Sequence, residues 1–422
     1  MVEETFLTDE FLRQLIDVGE VDVLIGLPTH NNAETIGPVV QAIQAGILKC
    51  FPRDRAVIIN PDAGSRDGTP EIVAGASIDD GRHASKLYAL RTLHSISTEY
   101  GLHPEPGTAL RTIVAASELL RAKACVVLSP ESTTIEPDWI QRLLRPVYKD
   151  NFDLVTPIYR RHKFEGLLMR NLLYPMTRAI YGYGIREPYA SEFAISGRLA
   201  TDFLTKESWD NESDRISPEM CLTARAITGE YRICQSFLGT KVHLDPSAGD
   251  LVAAMRRTAG VLFSSLDSNF SLWSTVVGSH SVPILGPESE LVLEPVQVNL
   301  KRLGEMFSSG IAELEPVFRS ILSPATLTEL QTIARSKDGN FNYSAELWAK
   351  TVYEFAASYH KSVISRDHII QAMVPLFRGR TLTFVLENRD SSAEEIEKNV
   401  ESLCREFERL KPYLLEVWSH RK

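Results

Sequence analysis

The sequence predicts an α/β fold with a mostly parallel sheet, followed by a mostly helical C-terminal region. Two observations carry this. In the first part of the chain, short apolar runs alternate with amphipathic helical stretches, the pattern of strand–helix–strand units. From about residue 250 the apolar residues recur almost wholly at helical spacing. The expected division is therefore residues 1–250 and 251–422, the second part packed on the first.

The elements follow in order. DVLIGLP at 22–28 is an apolar run ending at a proline and reads as a buried strand. Residues 33–51 place Ile36, Val39, Val40, Ile43, Ile47 and Leu48 on one helix face, with Pro38 near the start, where proline is best tolerated. AVIIN at 56–60 is a second strand, followed by the polar turn PDAGSRDGT at 61–69 and a short helix from Pro70. Residues 84–93 hold a further candidate strand, 109–122 a helix, and ACVVLS at 124–129 the clearest strand. Strands are expected at 153–159, 192–196 and within 232–243, with a helical stretch at 166–182. Helical periodicity then marks 297–308, 345–359, 365–378 and 394–416. There is no internal repeat and no low-complexity linker.

Composition bounds the class. The 422 residues exceed a single domain of roughly 100–200, and 44% hydrophobic with 24% charged residues exclude disordered, collagenous and coiled-coil chains. A net charge of −10 argues against a nucleic-acid binder, but not against a nucleotide ligand held at a local site. Five scattered cysteines (50, 125, 221, 234 and 404), odd in number and without CxxC spacing, read as reduced thiols of a cytoplasmic protein. No apolar run approaches the roughly 20 residues that span a bilayer, and the acidic start lacks the basic segment of a signal peptide.

In an open α/β sheet, ligands bind beyond the carboxyl ends of the strands. Three such ends carry distinctive residues: Pro28 to Glu34, Asp62 to Thr69, and Ser129 to Ser132. Each has a plain alternative. Asn32 and Glu34 suit the cap of the following helix, the Asp/Gly/Ser turn suits a tight connection, Glu131 suits a solvated loop, and a lone His243 suits the core. Together, acids, small residues and a helix start on one edge suit a nucleotide.

PTHNNAETI, a strand, and then DAGSRDGTPEIV resemble the opening of a GT-A (Rossmann-like) glycosyltransferase, in both order and spacing. The next landmark of that fold is Asp-x-Asp; here Ser129-Pro130-Glu131 stands, keeping the last acid. REPYASEFAISGRL (186–199), RISPEMCLTARA (215–226) and SFLGTKVHLDPSAGDLVAAM (236–255) resemble the middle segments of the retaining enzymes that make glucosylglycerate, mannosylglycerate and glucosyl-3-phosphoglycerate. The resemblance implies a retaining transfer of glucose or mannose from a nucleotide-diphosphate sugar to glycerate or a similar small acid. It assigns donor-nucleotide binding to Pro28, Thr29, Asn32, Asp62, Ala63 and Glu131, and metal ligation to Glu131 and His243 with Mg²⁺ or Mn²⁺. Acceptor binding falls to Arg161 and Lys163, within the basic run Arg160–Lys163, and catalytic roles to Glu192 and Glu219.

The physics fits those roles. A divalent cation stabilises a departing diphosphate, and Mn²⁺ accepts both carboxylate and imidazole. Asp62 stands at an open strand end, where its loss should leave the fold intact. Three departures stand out: Ser129 for the first metal acid, Glu105-Pro106-Gly107-Thr108 where the relatives carry a Gly-Lys-Gly loop, and Ala190-Ser191 for the double glycine before Glu192. They keep open a second reading, a non-catalytic GT-A-like nucleotide-sugar binder. A nucleotidyltransferase is disfavoured, because no Gly-rich basic loop follows residue 28. Expected partners are a nucleotide-diphosphate sugar and a small acidic acceptor, with room for a homodimer but none for nucleic acid or a membrane.

Overall fold

The computed structural model describes residues 7–79, 92–99, 105–205, 209, 215–241, 248–287, 298–336 and 341–419. Its compact units interleave along the chain rather than meeting at residue 250. One comprises residues 1–159, 189–241 and 282–290; the other comprises 160–188, 242–281 and 291–422.

The first unit holds a nine-stranded sheet. Its strands are β1 (Val23–Gly26), β2 (Ala56–Asp62), β3 (Ile78–Asp79), β4 (Thr92–Glu99), β5 (Ala124–Val127), β6 (Leu154–Arg160), β8 (Phe193–Ser196), β9 (Ile233–Thr240) and β11 (Ile284–Leu285). Two further strands, β7 (Tyr183–Gly184) and β10 (His280–Ser281), pair in parallel in the second unit. The order is β11-β9-β6-β8-β5-β1-β2-β4-β3. β1 pairs in parallel with β2 and β5, and β2 with β4, so these four strands end on one edge. β8 runs antiparallel to β5 and β6, which brings the start of β8 to that same edge.

The continuous apolar runs have a simple cause. Strands covered by helices on both faces need apolar side chains at every position, and all four residues of β1 are buried. Val23 and Ile25 join one core with Ile36, Ile43, Trp139 and Leu143, from α2 (Ala33–Cys50) and α5 (Pro137–Asp150). Leu24 and Gly26 face the other way, as a period of two requires. There α4 (Pro106–Leu119) approaches so closely that a Cβ on Gly26 would lie 2.6 Å from the Ile113 side chain. The strand expected at 84–93 falls mostly outside the described residues; β4 begins at Thr92.

Among the described residues, the regular elements of the second unit are helices apart from the β7–β10 pair, and every described element after residue 290 is a helix. Its core is aromatic, with Tyr343, Trp348, Tyr353, Phe307 and Phe318 fully buried. The helix Arg366–Glu387 is long and apolar enough to cross a membrane, and 78% of its apolar window is buried in the protein. The stretch expected to be helical at 394–416 is helix with a break at Leu410, between Ala393–Arg409 and Lys411–Ser419.

Candidate functional site

At the carboxyl edge of β1 and β2, the two motif loops are stitched together. Thr29 bridges to Asp62 in parallel, beyond the regular strand. The amide of Ala63 donates to the Thr29 carbonyl at 2.9 Å. Asp62 is 4% exposed; its carboxylate accepts from the Thr29 hydroxyl (2.6 Å) and from the amide (2.6 Å) and hydroxyl (2.7 Å) of Ser65. Buried Asn60 extends the chain, donating to the Leu27 carbonyl (2.6 Å) and Thr29 Oγ1 (2.7 Å) and accepting from Ser97 (2.9 Å). This corrects the expectation for Asp62: the acid is built into the loop, not hung at its margin.

The outer part of the same loops repeats the device. Asn31 and Gly64 adopt left-handed backbone (φ 55° and 79°). The Asn31 amide donates to Ser65 Oγ (2.8 Å), the Asn32 amide to Thr69 Oγ1 (2.9 Å) and the Ala33 amide to Asp67 (2.9 Å). The Thr69 hydroxyl and then the Ala33 amide hold the Asp67 carboxyl below its usual range. The Asn32 side chain does not cap α2; it accepts from the His30 amide at 2.8 Å. Pro28 and Ala63 are half-buried beside this ladder.

The other half of the edge centres on Glu192, at the head of β8 and fully buried. Lys241, just after β9, donates to both its oxygens at 2.8 and 2.6 Å. The Tyr159 hydroxyl donates at 2.5 Å, and the Ser132 hydroxyl donates as well. Lys241 also reaches Ser191 Oγ at 3.2 Å and lies 5.0 Å over the Tyr159 ring. Burial alone would raise the Glu192 pKa, but the Lys241 charge and the three donors outweigh it and hold the carboxyl below its usual range. The Glu192 carboxylate thus accepts four hydrogen bonds from side chains of its own unit.

Glu131, one residue before Ser132, is exposed. Its amide donates to Ser129 Oγ at 3.3 Å, and its carboxylate has no hydrogen-bond or ion-pair partner among the described residues. His243, its expected companion, lies outside the described residues, and among the described residues no group of three His, Cys, Asp or Glu side chains gathers to hold a metal. A divalent ion held by one or two carboxylates with phosphates and water is the usual Mg²⁺ arrangement, and Glu131 fits it.

Glu219 is half-buried in the first turn of the helix Pro218–Thr228, where an acid also suits the helix dipole. The basic run belongs to the second unit and is internally committed. Arg161 pairs with Glu187 at 3.1 Å, both nearly buried. Lys163 donates to the carbonyls of Arg389 (2.5 Å) and Ser391 (3.5 Å). Burial pushes the His162 pKa down, and its ring accepts from the Phe164 amide.

Sequence reasoning passed over Lys241, Tyr159 and Ser132. The available signal was a lysine closing the otherwise uncharged strand ICQSFLGT, since a charge there needs a partner.

No protein-family model matches the chain, and no curated protein matches it. Among solved structures it is similar to glucosyl-3-phosphoglycerate synthase of Mycobacterium tuberculosis. One crystal structure aligns over 61% of this chain and 84% of its own at 21% identity, TM-score 0.43. The complex with Mn²⁺, UDP and glucosyl-3-phosphoglycerate covers 68% of this chain and 95% of its own at 19% identity, TM-score 0.43. The complex with Mg²⁺ and UDP covers 65% and 92% at 19% identity, TM-score 0.42. Likeness at this level assigns neither activity nor ligand, and the topology above rests on this chain's own strand pairings.

Proposed function

We propose that this chain is a divalent-cation-dependent glycosyltransferase. It moves glucose or mannose from a nucleotide-diphosphate sugar to glycerate or a similar small acid, with retention of configuration. The observation that carries the reading is the exposed carboxylate of Glu131, without a partner among the described residues, on the strand edge that also carries the stitched Thr29 and Asp62 loops. The order of sequence motifs around it supports the same reading.

In this mechanism Pro28, Thr29 and Ala63 wall the base, and Asp62 and Asn32 hold that wall rigid through the loop bonds described above. Glu131 and His243 are the residues of this chain that would hold Mg²⁺ or Mn²⁺. A cation there stabilises the charge that builds on the departing diphosphate. Glu219 orients donor or acceptor hydroxyls. Lys163 is the better acceptor ligand of the basic pair, because carbonyl partners leave its charge uncancelled, whereas Glu187 offsets that of Arg161.

The test is an assay with UDP-glucose, GDP-mannose and their congeners, with Mn²⁺ and with glycerate or 3-phosphoglycerate. The expected result is acceptor-dependent release of nucleoside diphosphate, a product that keeps the donor's anomeric configuration, and loss of both with EDTA. Tight nucleotide-sugar binding without turnover on any acid supports the second reading, a binding protein, which the loss of the first metal acid at Ser129 favours. Binding of no nucleotide sugar sinks both.

A further inference from the structure

The buried ion pair between Lys241 and Glu192 is expensive to bury and does little for stability that apolar side chains of the same volume would not do. Its geometry offers something apolar packing cannot. One carboxylate joins four separate segments: Ser132 in the turn after β5, Tyr159 in β6, Glu192 itself at the start of β8, and Lys241 after β9. Tyr159 is braced in turn by the Trp139 ring, 5.7 Å away between centroids. The turn so held is short, and its own bonds are few: the Ser132 amide to the Ser129 carbonyl (3.3 Å), the Thr133 amide to that of Glu131 (2.8 Å) and the Ile135 amide to that of Ser132 (3.0 Å). Among the described residues, no side chain bonds to the Glu131 carboxylate. Where its carboxylate stands is therefore decided by the backbone beside Ser132.

We infer that Lys241, Glu192 and Tyr159 are positioning residues: they pin the Ser129–Ser132 turn through the Ser132 hydroxyl and so set the place of Glu131. The consequence for a cation rests on the reading of Glu131 as its ligand.

Two variants test this. Ser132→Ala cuts the link between turn and pair while leaving the pair whole. Lys241→Met with Glu192→Gln removes both charges together and avoids an unpaired buried ion, so folding is retained. Hydrogen exchange of residues 129–135 is followed by mass spectrometry, and Mn²⁺ binding in the presence of UDP by electron paramagnetic resonance. Both variants should exchange about tenfold faster in this segment and at the parent rate elsewhere, the scale of one lost hydrogen bond. Both should bind Mn²⁺ about tenfold more weakly, the lower end of what loss of a supporting partner does to a metal site. Unchanged exchange in 129–135 overturns the inference outright. Faster exchange with parental Mn²⁺ affinity overturns it too, since the turn would then move without the cation site feeling it. Faster exchange in a protein whose parent form binds no Mn²⁺ removes the cation reading of Glu131 and leaves the pinning of the turn upheld.

Discussion

The two halves of the strand edge are held by opposite means. On the β1–β2 side, some ten hydrogen bonds, mostly involving backbone amides and hydroxyls, spread the load over two loops. On the β5–β8–β9 side, one carboxylate with 0% exposure accepts four hydrogen bonds from three donors, one of them a charged ammonium. The first kind of site degrades gradually, because each neutral bond contributes on the order of 1 kcal/mol. The second kind fails abruptly, because removing one charge strands the other away from water. Substitutions on the two sides should therefore differ in size more than in kind.

The largest effect belongs to Lys241→Met alone. It leaves Glu192 buried without its counter-charge, a loss of about 3–5 kcal/mol in denaturant-measured stability. Adding Glu192→Gln should recover most of that loss. Equal stability of the single and double variants would show that the pair is not coupled.

The same pair sets a pH dependence. Because the Glu192 carboxyl titrates below its usual range in the folded protein, its contribution is fully present above the ordinary glutamate pKa and is lost as pH falls through the lowered folded value. Parent stability should drop on acidification below about pH 4.5. The double variant should lose the part of that slope that belongs to Glu192. Other carboxyls held below their usual range keep part of the slope, among them Asp153, where burial is outweighed by Arg198 and the Arg232 amide, and Asp202, held by Arg225.

On the other side, Asp62→Ala removes three accepted bonds and leaves the Thr29 and Ser65 hydroxyls without that partner. The expected cost is about 1–3 kcal/mol, together with weaker nucleotide binding because the loop loses its shape. Asp62→Asn should recover part of the stability, since an amide oxygen still accepts from Ser65. A parental melting temperature for Asp62→Ala would return the residue to the free strand-end acid that the sequence alone suggests.

What the sequence told and withheld follows from the range of the interactions. The loops at 28–34 and 61–69 were legible because their turn chemistry is local: Asn, Gly, Ser and Thr at fixed offsets, with left-handed backbone at Asn31, Gly64 and Gly68. The strand run at 124–129 was legible because burial on both faces leaves an unbroken apolar signature. The partner of Glu192 was not, because it lies 49 residues away and no periodicity links a strand end to a strand start. The interleaving of units was hidden for the same reason: Ile284–Leu285 rejoins the sheet by pairing with β9, and two residues make no pattern. Asn32 shows the residual ambiguity of local rules, since an asparagine before a helix suits a cap, yet this one bonds backward to His30.

The smallest effect on stability, and the sharpest on function, belongs to Glu131→Ala. Its carboxylate is exposed and has no partner among the described residues, so none of their contacts is lost with it. The melting temperature should stay at the parent value. A lost cation ligand, by contrast, weakens stabilisation that grows as the diphosphate departs, so kcat should fall while KM for the acceptor holds. Lys163→Ala should do the reverse, raising acceptor KM with kcat nearly kept, because the charge of an acceptor's carboxylate does not change during transfer. The two variants assayed side by side with saturating Mn²⁺ separate the roles. A Glu131→Ala protein that turns over at the parent rate would mean that the Ser129–Glu131 segment holds no cation, and the weight would pass to the nucleotide-sugar binding reading.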